Sequence, residues 1–265
     1  MPLAELLEAI ASDPELSQLM EDVLDEVFDE VTDKAAEKAS KRAQQNSDLQ
    51  TPHSAQLRLQ YRLVSNGDEV GSLETWRSLR HEAGQSNLLL QHRLRIRSEG
   101  FFFNYSLDAD EKILIAADGL RNYVNAAKED GESSSIVAGL ENGVMKLRVE
   151  EDGVKQHKFK QIEYDATSED AAQIFLASGQ AGAVLRVLDL EHAEIDNVSY
   201  RRLEDESINL AGQRYQTRAL SFESKRRKIS GQQWYVAHSS GDVLVREYSQ
   251  EPGEKNECVL KQWIE

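Results

Sequence analysis

The chain has 265 residues, 40% of them hydrophobic, and a formal net charge of −16. That composition is globular, holds no apolar run long enough to span a membrane, and carries a field that repels nucleic acid and anionic membrane surfaces. The single cysteine, Cys258, excludes an internal disulfide and a multi-cysteine metal site.

The first segment reads as helical. Leu16, Leu19, Met20, Val23, Leu24, Val27, Phe28 and Val31 recur at i, i+3, i+4 and i+7, a single apolar stripe. Ser12 or Asp13 followed by Pro14 supplies the start signal. A shorter helix with Leu3, Leu6, Leu7 and Ile10 precedes it. Residues 1–33 carry many acids and no Lys or Arg, and Lys34, Lys38, Lys41 and Arg42 follow, an order that suits the helix dipole. Residues 1–47 are therefore expected to form an acidic amphipathic arm. It packs on its own β domain, on its twin in a homodimer, or on a separate protein through Leu16, Leu19, Val23, Val27 and Phe28. Residues 48–54 read as a linker, and no secretory leader is visible at the N-terminus, so the chain as given reads as cytoplasmic, with a periplasmic mature form as the alternative.

From residue 55 to 265 the pattern is that of an antiparallel β domain. Turn pairs at Asn66-Gly67, Glu99-Gly100, Asp118-Gly119, Asp130-Gly131, Asn142-Gly143 and Asp152-Gly153 separate short strands and predict a meander. One helix, AAQIFLAS, interrupts it, with Thr167 or Ser168 as cap and Gly179 as its end. Strands resume over 184–190, 194–203, 213–222, 232–238, 243–249 and 257–263.

Alternation assigns the faces. In NLLLQHRLRIRS the even positions Leu88, Leu90, His92, Leu94 and Ile96 are mostly apolar, and Arg93, Arg95 and Arg97 stand opposite them. The following SEGFFFNYSLDADE places three phenylalanines side by side. A two-residue turn at Glu99-Gly100 pairs Ile96 with Phe103 and Leu94 with Tyr105, all on the apolar face. Phe102 then falls among the arginines, opposite Arg97, with Asn104 opposite Arg95. A three-residue loop ending at Gly153 brings Phe159 beside Met145. A sheet apolar on one side covers that side by curling round a helix or closing into a barrel. The predicted class is mainly β, a curved antiparallel sheet or open half-barrel with one internal helix, preceded by the helical arm.

Catalytic signatures are missing: no phosphate-binding glycine loop, no GxSxG elbow, no HExxH helix. His192 with Glu194 is the nearest approach to a metal pair, and two ligands do not make a site. Asp108, Asp110 and Glu111 read as an acidic turn, Glu204 and Glu206 as uninformative acids, and Cys258 as an inert strand residue. The basic run Lys225–Lys228 joins two strands and is a candidate partner for the acidic arm.

The last third, GQRYQTRALSF, GQQWYVAHSSGDVLVREYS and ECVLKQW, resembles a family of uncharacterised, mostly exported bacterial β-rich proteins known as domains of unknown function. YRLVSNGDEVGSLE resembles their opening hairpin. The resemblance implies a curved sheet similar to half-barrel carriers of lipoproteins or lipids, with Tyr215 and Trp234 at packing positions. The acidic arm and the lack of a leader depart from that family.

The function expected is a non-enzymatic binder, a carrier or sequestering protein for a hydrophobic or lipidic molecule on the concave face. Leu94, Ile96, Phe103, Tyr105 and Trp234 are the candidate ligand contacts. The alternative is an interaction or assembly factor docking through its N-terminal helix, with Phe102 as a further partner contact. No cofactor, metal or nucleic acid is expected.

Overall fold

A computed structural model describes residues 57–82, 85–99, 104–151, 153–210 and 212–264. The predicted arm, the linker, and Phe101, Phe102 and Phe103 lie outside the described residues.

The first half is a meander of eight antiparallel strands. These are β1 (Leu57–Ser65), β2 (Asp68–Glu82), β3 (Gln85–Glu99), β4 (Asn104–Ala116), β5 (Gly119–Glu129), β6 (Glu132–Glu141), β7 (Val144–Glu150) and β8 (Val154–Lys160). A 3-10 turn (Gln161–Glu163) and the short β9 (Ala166–Thr167) lead into helix α1 (Ala171–Ser178). Seven strands follow: β10 (Gly182–Asp189), β11 (Glu194–Arg202), β12 (Glu206–Leu210), β13 (Gln213–Ser224), β14 (Ile229–Val236), β15 (Val243–Glu251) and β16 (Glu254–Ile264). The last strand returns to pair with the first, so one sheet runs β8-β7-β6-β5-β4-β3-β2-β1-β16-β15-β14-β13-β11-β10-β9. It is open: β8 and β9 are its two ends and do not pair with each other. β12 hangs from β13.

Most turn assignments hold. Asn66-Gly67, Asp130-Gly131 and Asn142-Gly143 each close a two-residue hairpin, with both turn residues at positive φ. Met145 pairs with Phe159 across a three-residue connection. The turn before β5 falls one residue early, because Gly119 pairs with Ala116 as the first residue of the strand.

The β3–β4 hairpin corrects one expectation. Its connection is four residues long, closed by Glu99 and Asn104. Ile96 therefore faces Leu107, Leu94 faces Ala109 and His92 faces Glu111. The slide is an even number of residues, so the described pairs from Ser98–Tyr105 inward keep their expected faces. Charge explains the choice. The observed register sets Arg93 against Asp110 and Arg95 against Asp108, whereas the expected one sets them against Ser106 and Asn104. The acids 108, 110 and 111 are thus strand residues, not a turn.

The helix starts two or three residues later than Ser168 or Thr167 would cap it. Asp170 occupies the N-cap position. Its carboxylate instead accepts from Thr167 N–H (2.7 Å), Thr167 Oγ1 (2.9 Å) and Leu120 N–H (3.0 Å). It thereby ties the segment before α1 to β5. Gly179 ends the helix in the left-handed region at φ 67°, as expected.

The apolar face is covered by curling. Ile113, Tyr123, Met145 and Leu147 from β4, β5 and β7 pack with Leu188 and Leu190, in and just after β10 near the far end of the sheet, and with Tyr164. Ile113, Met145 and Leu188 are fully buried, each a contribution of about 1.5–3 kcal/mol. A second cluster joins Leu57, Leu59, Val243, Val245 and Leu260 to Ile208 and Leu210 of β12, a strand the periodicity does not reveal. Phe175 and Leu176 of α1 pack on Leu220 and Tyr235.

Two glycines permit close approach of neighbouring strands. A Cβ on Gly71 would meet the Arg95 carbonyl at 2.1 Å, and one on Gly231 would meet the Tyr248 carbonyl at 2.3 Å and the Phe222 ring at 2.6 Å. Only a residue without a side chain fits either place.

Candidate functional site

The concave side is filled at one end and open at the other. The open end is a cleft of about 760 Å³. Pairing builds its floor and walls row by row. One row runs Gln233, Glu247, Cys258, Leu63, Gly71, Ile96, Leu107 across β14, β15, β16, β1, β2, β3 and β4. The row nearer the turns runs Gly231, Ser249, Asn256 and Ser65, and Ser98 paired with Tyr105 continues it on the far wall. Leu63, Val70, Ile96, Tyr105 and Cys258 provide the apolar lining, and Ser65, Ser98, Ser249 and Asn256 an uncharged polar rim.

Among the described residues, the charged ones that line the cleft are all acidic: Asp68, Glu247, Glu254 and Glu257. Two of them are engaged. Glu254 accepts from Ser65 Oγ at 3.1 Å, and Glu257 lies 3.5 Å from Arg246. Glu247 sits in the deeper row, and its one side-chain donor among the described residues is Gln233 Nε2 at 2.8 Å. Glu247 lines the cleft, and the atoms packed round its carboxyl disfavour the ionised form and push its pKa up. Cys258, directly opposite, is pushed up too, by burial first and the Glu247 charge second. A thiol raised in this way stays protonated and is a poor nucleophile. Burial, a hydrogen bond with Glu129 and the charges of Glu129, Asp130 and Glu191 push the Tyr105 phenol up to about 12.

Below the cleft lies a polar belt with no sequence signature. Glu111 accepts from Tyr123 Oη (3.0 Å) and Asn125 Nδ2 (2.8 Å), and His92 Nδ1 is 3.5 Å from its other oxygen. His92 Nε2 is buried without a hydrogen-bond partner among the described residues, and burial lowers the imidazole pKa. Glu169, in the segment before α1, is pushed up to about 8 by burial and then by Glu111. These groups come from β3, β4, β5 and the pre-helix segment, so only the curling of the sheet assembles them.

Elsewhere the charges pair off. Arg93, Arg95 and Arg97 on the outer face each have an aspartate, Asp110 or Asp108, within 3.9 Å. They wall a depression of about 270 Å³ that is filled with matched charge. His192 does not join Glu194. It lies in the β10–β11 turn with Nδ1 3.3 Å from Asp189, and Glu194 pairs with Arg226. Asp189, Glu191 and His192 could converge on a cation, but the Arg227 guanidinium contacts Asp189 and lies 3.2 Å from His192 Nδ1. It supplies the positive charge there. Arg226 and Arg227 of the basic run are therefore committed to the β10–β11 turn.

Of the five ligand candidates, Ile96 and Tyr105 line the cleft. Leu94 is half-buried on the same face, one step deeper along β3. Trp234 is buried in a packed cluster, its indole N–H donating to Glu206 and the Arg246 guanidinium 5.2 Å from its ring centre. It does not line the cleft. Phe103 lies outside the described residues, as do Leu16, Leu19, Val23, Val27, Phe28 and Phe102. Sequence reasoning missed Leu63, Glu247 and Cys258, which enter through the β1–β16 pairing that joins the two ends of the described chain.

No protein-family model matches the sequence, and no match is found among curated proteins. Solved structures do resemble it. A β-barrel-like protein of domain of unknown function 1849 from Brucella abortus superposes with a TM-score of 0.57 at 12% identity, over 78% of this chain and 96% of that one. A candidate lipoprotein from Parabacteroides distasonis (TM-score 0.32, 9% identity, 80% and 97% of the two chains) is more distant. So is a candidate exported protein with a YmcC-like fold from Bacteroides fragilis (TM-score 0.35, 9% identity, 81% and 98%). The likeness to the Brucella protein is one of fold: a β-rich domain with a barrel-like curved sheet.

Proposed function

We propose that this protein binds a small hydrophobic molecule in the open cleft of its curved sheet, as a carrier or sequestering protein. The observation that carries the reading is the contrast along the concave face. Core side chains fill one end, while the other leaves about 760 Å³ with an apolar wall and a hydroxyl and amide rim. That volume and composition suit a ligand of ordinary small-molecule size. The fold it shares with the Brucella protein is compatible with the same use.

The cleft chemistry favours binding over turnover. The deepest acid of the cleft, Glu247, faces a protonated thiol, and the acid–base groups His92, Glu111 and Glu169 do not line the cleft. Native mass spectrometry tests the reading. Protein titrated with dodecyl maltoside below its micelle concentration is expected to form a saturable one-to-one adduct. A bare mass throughout the titration overturns the reading.

A further inference from the structure

We propose that the cleft selects a cationic, amine-bearing amphiphile and discriminates against anionic ones, with Glu247 as the group that takes the head. This rests on the cleft being the binding site and adds the chemistry of its occupant.

Three observations converge. Among the described residues the cleft lining includes no Lys, Arg or His, while Asp68, Glu247 and Glu254 border it. A fatty-acid or phospholipid head placed there would meet like charge with no cationic side chain among the described lining residues to offset it. Second, Glu247 is placed to be completed by a ligand. One of its oxygens takes Gln233 Nε2, and among the described residues no cationic side chain pairs with it. An ammonium against the carboxylate gives a charge-assisted hydrogen bond and removes the cost of an uncompensated buried charge. Third, the apolar residues lie beside Glu247 in the same rows. Cys258 is directly opposite it across β15–β16, Leu63 follows, and Ile96 lies beyond Gly71 on the far wall. A single alkyl chain on those residues keeps its terminal amine within the reach of Glu247. Burial raises the Glu247 pKa, and an ammonium beside the carboxylate would offset that by favouring its ionised form.

The test uses the full chain and three probes of equal chain length, each below its micelle concentration at physiological ionic strength: dodecylammonium, dodecyl maltoside and dodecanoate. Calorimetric titration is expected to rank them in that order, with dodecanoate at least about tenfold weaker than dodecylammonium. Glu247→Gln is expected to weaken dodecylammonium by about tenfold while leaving dodecyl maltoside within about twofold. That split separates a local contact from the long-range pull of the net charge, which the substitution changes by one unit in 16. Dodecanoate binding as tightly as dodecylammonium, or a Glu247→Gln variant with unchanged preference, overturns the head-group assignment and leaves the hydrophobic cleft standing. Failure of all three probes to bind overturns both.

Discussion

Arg93 and Asp110 face each other across β3 and β4, Nε to Oδ1 at 3.0 Å, and the pair discriminates between two registers that hydrophobic alternation cannot tell apart. Arg93 also stacks over Trp76, with its guanidinium carbon 5.7 Å from the ring centre. Replacing Asp110 with Arg puts like charges opposite each other and is expected to cost about 0.5–1 kcal/mol. The Arg93→Asp, Asp110→Arg double variant is expected to recover most of it. Denaturant midpoints measure this. A double variant as unstable as the sum of its single variants contradicts the pairing.

Gly71 is expected to tolerate no side chain. Its would-be Cβ lies 2.1 Å from the Arg95 carbonyl, so Gly71→Val forces β2 and β3 apart, at about 1–3 kcal/mol. Because Gly71 lies in the cleft row between Leu63 and Ile96, amphiphile binding should fall with stability. Unaltered denaturant midpoints contradict this.

Glu169 gives stability a pH dependence. Its folded-state pKa is raised from 4.5 to about 8, so the unfolded chain releases the proton first and stability falls as pH rises between those values. His92, lowered on folding, acts in the opposite direction and only below its ordinary value of 6.5. The clean window is therefore pH 6.5–8. Stability there is expected to fall by up to about 1.4 kcal/mol per pH unit from Glu169, and Asp170 and Glu247, raised in the same sense, add only what they still titrate there. Glu169→Gln should flatten the slope, and an unchanged slope in unfolding free energy contradicts the assignment.

Cys258 reports on the cleft, since it is the only thiol in the chain and lines the cavity. Its raised pKa leaves little thiolate at pH 8, so iodoacetamide should alkylate it more than about tenfold more slowly than a free thiol. Saturating dodecyl maltoside should slow it further. Alkylation at the free-thiol rate, followed by mass spectrometry, contradicts both the burial and the placement.

Much of the fold is legible in residue pattern. The Asn-Gly and Asp-Gly pairs locate most of the meander, and the alternation from Leu88 to Arg97 assigns faces correctly even where pairing partners shift. The register itself needs the opposed charges of Arg93, Arg95, Asp108 and Asp110, a second constraint that periodicity does not contain. Ile96 and Tyr105 are legible as cleft residues because they sit on a strongly alternating strand pair. Leu63, Glu247 and Cys258 are not, because their meeting depends on the pairing of β1 with β16, nearly two hundred residues apart. Trp234 looks like a ligand contact by residue type, yet its neighbours Glu206 and Arg246 satisfy it within the packing.

The proposed binding site is the cleft between Ile96, Tyr105 and Leu63. Ser98 lies on its rim, paired with Tyr105, and a tryptophan there should fill the opening without entering the core. Titration with the neutral dye Nile red measures this most directly. The account expects saturable one-to-one binding by the native chain, and loss of at least about tenfold in affinity in Ser98→Trp at an unchanged melting temperature. Equal dye binding by the native chain and Ser98→Trp, or none by either, contradicts it.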